Sequence, residues 1–348
     1  GSEMCIRDRD NRQAKISTIL ASGDKNIDLI SVNDEMISEF KHKGYLEPLE
    51  KNVMTEEVRD SFPQKYLESI CEENGHIYSV PFQMDIMMFW VNQELLKQAG
   101  LDEIKNTGDF DILQKSLKNP DQYAYGDAWE NTHVYNSLSQ FVNFWGGDYF
   151  DWTDPKTKDA ARYMKSMLDE KNTSPAQFVD QYEQMEEKFI RGKYGCVFMY
   201  TSALGTFLDA DVYGKNKIHM APLPVLHKKK ATNIATWQYV LNNASENKDA
   251  AVRFLQYAAG YEGSTEYAKI MKSYPARVDV IENEDIDLEG IDMIRKYLRE
   301  YTLNARPLCE NSMGAVSDMG KLFQGYVLGQ CEEDSFFEQA QNCINTYY

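Results

Sequence analysis

Residues 11–44, NRQAKISTILASGDKNIDLISVNDEMISEFKHKG, decide how the rest of the chain is read. Ala14, Ile16, Ile19 and Leu20 recur at helical spacing, and Gly23 suits the end of that helix. Ile27–Val32 reads as a short buried strand. Asp34 is placed to cap a second helix running through Phe40, which Gly44 ends. Helix, strand and helix within one short stretch predict an α/β chain with helices on the faces of a doubly wound sheet.

Working outward, the same alternation continues. A helix is expected over 55–72, broken or kinked at Pro63. His76–Phe82 reads as a strand that Pro81 should end or place at an edge. Met84–Val91 is apolar except for Asp85, and Asn92 caps a helix that stops at Gly100. Helices are expected at 132–145, at 154–168 behind Asp154-Pro155, and at 180–190. Strands are expected at 195–200 and 236–241, with a helix from Ser202 between them. The remainder reads as helices at 248–259, 264–272, 291–303, 313–328 and 335–347. No repeat and no Gly/Ser/Pro-rich linker divides the chain, which suggests strands crossing directly between domains.

The chain has 348 residues, enough for about two domains, and 43% are hydrophobic. Its formal net charge of −18 argues against a nucleic-acid partner. The one basic run, Lys228-Lys229-Lys230, reads as a solvated loop. Six scattered cysteines give neither zinc spacing nor a legible disulfide framework, so neither a metal nor a cofactor is expected. No apolar run is long enough to span a membrane, and no secretory signal is present. Residues 1–9 have no periodicity and are set aside as a scar or non-native segment.

Enzyme signatures are missing. There is no phosphate-cradling glycine loop, no nucleophile elbow and no H-E-x-x-H. What the sequence does place beside strand and helix ends is a set of polar and aromatic residues: Asp34, Gln83, Asp85, Trp145, Tyr200, Trp237 and Gln238. In open α/β sheets ligands sit at strand ends. Sugar hydroxyls suit Asp and Gln, and sugar C–H faces suit Trp and Tyr. Each residue also has a plainer reading: Asp34 as a helix cap, Trp145 and Trp237 as core aromatics, Arg277 as the partner of a surface acid. Asp85 is the sharpest, because a carboxylate within an apolar stretch is costly without a partner.

Several segments, taken in order, carry a family resemblance. They are Asp28–Asp34 with Gly44–Leu49, Gly75–Phe82, Trp90–Leu96 with Ala99-Gly100-Leu101, Phe189–Lys193, Ala221–Pro224, Asn247–Ala251 and Tyr274–Val280. The chain resembles the family 1 extracellular solute-binding proteins of bacterial ABC importers, which are similar to maltose-binding protein. That resemblance implies a two-lobed periplasmic-binding-protein-like fold with a ligand cleft and hinge strands. One lobe would hold 10–84 and 241–300, the other 85–240 and 301–348. It implies a monomeric, non-enzymatic protein that captures a small solute, expected to be a mono- or oligosaccharide, by closure and delivers it to a membrane permease. Its ligand positions carry over to Asp34, Asp85, Trp145, Tyr200, Trp237 and Arg277, with Arg306 as a further candidate. It also implies an extracytoplasmic location, periplasmic or lipid-anchored at the cell surface.

Two departures stand out. The family's opening strand, helix and strand, about 40 residues on ordinary element lengths, have no counterpart before Asn11. The signal and lipid-attachment cysteine are expected to lie with them. Asn106–Phe110 also lacks the family's usual helix start. Two alternatives stay open: a non-sugar solute such as a polyamine, which acidic and aromatic groups would suit, and a glycoside hydrolase, which needs two carboxylates flanking one bond.

Overall fold

The structure is a computed structural model and describes residues 9–348. Residues 1–8, with Cys5 and most of the segment set aside above, lie outside the described residues. In chain order the elements used below are α1 (Arg9–Ala21), β1 (Leu29–Asn33), α2 (Asp34–Phe40), β2 (Val80–Asn92), α3 (Gln93–Gln98), α4 (Thr107–Ser116) and β3 (Tyr123–Gly126). They continue with α5 (Val134–Trp145), α6 (Pro155–Asp169), α7 (Tyr182–Ile190), β4 (Tyr194–Tyr200), α8 (Ala203–Asp209), β5 (Ile218–Ala221) and β6 (Ala231–Leu241). The last are α9 (Lys248–Ala259), α10 (Tyr261–Met271), α11 (Ile291–Glu300), β7 (Thr302–Ala305), α12 (Ser312–Val327) and α13 (Glu333–Tyr347).

The chain divides into two compact units. The first holds the described residues up to Met84, Ala235–Glu289 and Leu308–Glu310; the second holds Asp85–Ile234, Gly290–Pro307 and Asn311–Tyr348. The sequence reading set its boundaries at 84/85, 240/241 and 300/301. The units divide instead at 84/85, 234/235 and 289/290, with a short return at 308–310. Both β2 and β6 continue through a boundary.

In the first unit β1 runs antiparallel to the end of β6, with Leu29 opposite Leu241 and Asn33 opposite Trp237. Strand alternation then puts Trp237 and Tyr239 on one face and Thr236, Gln238 and Val240 on the other. The second group is buried, whereas Trp237 and Tyr239 are half-buried. The expected helix over 55–72 is broken, as Pro63 predicts, into Glu56–Arg59, Gln64–Tyr66 and a π-turn at Leu67–Cys71. Asn33, not Asp34, caps α2: its side chain accepts from the Met36 amide at 3.0 Å. Asp34 is instead the first residue inside the helix.

In the second unit β2 pairs antiparallel with β4, with Met87 opposite Tyr200, and with β5, with Phe89 opposite Ala221. β3 lies parallel to β4, and β7 parallel to the start of β6. Pro81 does not end a strand. It is the second residue of the 13-residue β2, six positions before the β4 ladder begins at Met87. The doubtful start of α4 resolves into a capping box, with Asn106 and Asp109 satisfying each other's backbone amides. Expected caps at Asn92 and Asp154 are present. β3, β5 and β7 were not read from the sequence, and the expected helix over 291–303 stops at Glu300 to give β7. The core is aromatic: Phe198 packs against Phe89, Tyr125, Phe141 and Phe144.

Candidate functional site

In the second unit the structure brings Asp85, Tyr200 and Arg306 together. The carboxylate of Asp85, on β2, accepts from the Thr201 hydroxyl at 2.6 Å and the Ser202 amide at 2.9 Å. Thr201 is fixed in turn, because its amide donates to the Ile86 carbonyl at 2.9 Å. Burial pushes the Asp85 carboxyl up, while the Thr201 and Ser202 bonds and the Arg306 charge pull it down. The Arg306 guanidinium lies over the rings of Tyr135 and Tyr200, 5.9 Å from each centroid, and donates to the Tyr135 hydroxyl at 2.6 Å. The Tyr200 hydroxyl donates to Asn136 Oδ1 at 3.0 Å.

Helix α7 completes the group. Met185 and Phe189 anchor it in the core. Tyr182 and Glu186, four residues apart, share another face. The Tyr182 ring meets Tyr200 edge to face at 5.9 Å and His133 at 5.3 Å. Glu186 is raised to about 7, by burial first and then by Glu183, with Asp85 adding to the effect. His133 lies 3.0 Å from the Glu130 carboxylate, and that contact holds Glu130 down to about 2.

Sequence reasoning missed Tyr135, Asn136, Tyr182, Glu186 and Thr201. One signal was available. His133, Asn136 and Gln140 recur at i, i+3 and i+7 within an apolar stretch, and all are buried. They form a polar seam toward β6, where Gln140 donates to the Ala231 carbonyl at 2.8 Å and accepts from the Asn233 amide at 3.0 Å. Trp145 closes α5, stacked on His227 at 5.0 Å and packed on Tyr163 at 4.8 Å.

The first unit gathers fewer of the expected residues. Asp34 and Glu35 are fully buried in the first turn of α2, directly after the residue paired with Trp237. Gln238, on the opposite strand face, has its amide committed: Ser79 and Cys71 donate to its oxygen, and its nitrogen reaches the Tyr66 hydroxyl at 3.3 Å. Arg277 is likewise committed. It binds Asp279 through two nitrogens at 3.0 and 2.6 Å, the Ala259 carbonyl at 2.8 Å and Ser61 at 2.8 Å. Gln83 accepts from the Tyr267 hydroxyl at 2.8 Å. Among the described residues no group of three His, Cys, Asp or Glu is placed to hold a metal, and no helix is long and apolar enough to cross a membrane.

With this arrangement in view, comparison with known proteins identifies the class. Residues 9–265 match the family model for bacterial extracellular solute-binding proteins, and the chain belongs to that family. An ABC transporter solute-binding protein from Thermotoga lettingae, solved bound to α-D-tagatose, superposes with a TM-score of 0.81 at 19% identity, covering 97% of this chain and 89% of that one. The arabinooligosaccharide-binding protein of Bacillus subtilis is 22% identical over 286 residues, 78% of this chain and 65% of that protein. The "Probable amino-acid ABC transporter periplasmic-binding protein y4oP" of Sinorhizobium fredii is 24% identical over 239 residues, 65% of this chain and 54% of that protein. The chain therefore spans between half and two thirds of the length of these two curated relatives.

Proposed function

We propose that this protein is the substrate-binding component of an ABC importer, capturing a mono- or oligosaccharide and handing it to a membrane permease. The observation that carries the reading is the buried group of Asp85, Tyr135, Tyr200 and Arg306: a carboxylate and a guanidinium for hydroxyls, framed by aromatic faces for C–H surfaces. The tagatose-bound and arabinooligosaccharide-binding proteins similar to this chain support a sugar. In the first unit we assign Trp237, with Asp34 near it, to ligand binding as well. Gln238 and Arg277 act as structural residues, since their polar groups are already taken. The protein binds without turnover, works as a monomer and operates outside the cytoplasm, either periplasmic or lipid-anchored at the cell surface.

A second reading, a nitrogenous cationic solute such as a polyamine, is favoured by the carboxylates of Glu183, Glu186 and Asp85 lying close enough to affect one another. A thermal-shift screen of sugars, polyols, amino acids and polyamines separates these readings. A ligand at a hundred times its Kd adds about 2.7 kcal/mol of stability. A rise with one sugar class supports carbohydrate capture; a rise with polyamines alone overturns it. Product analysis after incubation with any oligosaccharide that binds tests the absence of turnover, and cleavage would refute it.

A further inference from the structure

The hydroxyl of Tyr182 is buried and makes no hydrogen bond, although it lies among groups rich in partners. Buried polar atoms are nearly always satisfied, so an orphan of this kind needs an explanation. Its surroundings supply one. Tyr135, Tyr200 and Arg306 bear on it electrostatically, and its ring is clamped edge to face between Tyr200 and His133. The clamp fixes where the hydroxyl points while leaving it without a partner. Glu186, one turn further along α7, carries the same face to Asp85. The Tyr200 hydroxyl, by contrast, already donates to Asn136.

We propose that Tyr182 is a ligand-binding residue whose hydroxyl donates to an oxygen of the bound solute, and that it selects solutes bearing a hydroxyl or ring oxygen at that position. Burial keeps the phenol protonated, so it serves as a neutral donor. The proposal rests on the carbohydrate reading for the identity of the solute, but its test does not depend on that reading.

The experiment compares Tyr182→Phe with the wild type, first free and then bound. Removing a hydroxyl that has no partner should leave the ligand-free protein as stable as the wild type or more so. Binding is then measured by calorimetry with each of D-tagatose, maltose, arabinotriose, L-arginine and putrescine that raises the wild-type melting temperature. The expected result is a Kd about tenfold weaker or more for the variant, because the ligand oxygen loses its donor. Equal Kd values would overturn the assignment. So would a free variant that melts below the wild type, since the hydroxyl would then be satisfied by a buried water and serve the fold. If only L-arginine binds, the carbohydrate reading fails while the Tyr182 comparison still decides whether the hydroxyl donates to a solute oxygen; if only putrescine binds, a solute with no oxygen, both readings fall. If none of the five binds, both fall.

Discussion

Glu186 makes the stability of this protein depend on pH in an unusual direction. Its carboxyl is raised from 4.5 to about 7, chiefly by burial and then by Glu183. The folded state therefore holds this proton more tightly than the unfolded chain does. The resulting stabilisation is fully present below pH 4.5 and is lost as pH rises through about 7. At about 1.4 kcal/mol per pH unit, the gap amounts to about 3 kcal/mol by pH 8. The Glu186 carboxyl is hydrogen-bonded by Thr206, and Glu186→Gln is the matched perturbation, an isostere that cannot ionise and can still accept from that hydroxyl. Urea unfolding followed by tryptophan fluorescence at pH 5, 6, 7 and 8 gives the difference between variant and wild type, in which other titrating groups cancel. At pH 5 the two should differ little. By pH 8 the variant should be more stable by about 3 kcal/mol, with the difference growing between pH 4.5 and 7 and levelling off above about pH 7. A difference that stays flat across this range would refute the argument that burial and neighbouring carboxylates hold the proton on Glu186.

Three further outcomes follow from other contacts. Asp127 is fully buried and accepts from Tyr125, Trp129, Ser137 and the Ala128 amide, so Asp127→Ala should cost about 3 kcal/mol or more in urea unfolding by orphaning those donors. A Cβ at Gly320 would sit 1.9 Å from the Asn131 carbonyl oxygen, and Gly320→Ala should lower stability by about 1–3 kcal/mol, read as a shift in the melting temperature. Trp237→Ala should weaken solute binding about tenfold with little loss of stability, whereas Gln238→Leu should destabilise by about 1–3 kcal/mol and leave affinity nearly unchanged; calorimetry and melting curves on the two variants check the pair.

The same pair shows where the sequence was legible and where it was not. Helix ends could be read wherever a side chain closes its own backbone, as at Asn92 and Asp154. Even the doubtful Asn106 start follows that rule, because Asp109 stands at the third position a capping box requires. β3, β5 and β7 escaped because each has four residues, too few to display an alternation. Trp237 and Gln238 were both assigned to ligand, yet neighbours in a strand face opposite ways. Period two alone separates the half-buried Trp237 from the buried Gln238. Arg277 could not be sorted in the same way. Its claim on Asp279 is local, but its bonds to Ser61 and Ala259 come from distant parts of the chain. Asp85 was legible because an acid in an apolar stretch demands partners, while the identity of those partners, Thr201 and Ser202, depends on a ladder that only the fold supplies.

The way the two units share the chain sets a timetable for biosynthesis. Leu29 of β1 pairs with Leu241 of β6, more than 200 residues later. The second unit likewise waits for α12 and α13, whose Phe336 packs on Trp152. Synthesis must therefore reach Leu241 before β1 finds its partner and Phe336 before Trp152 finds its own, so these apolar segments stay unsatisfied until then. Such non-local pairing is slow and exposed to aggregation.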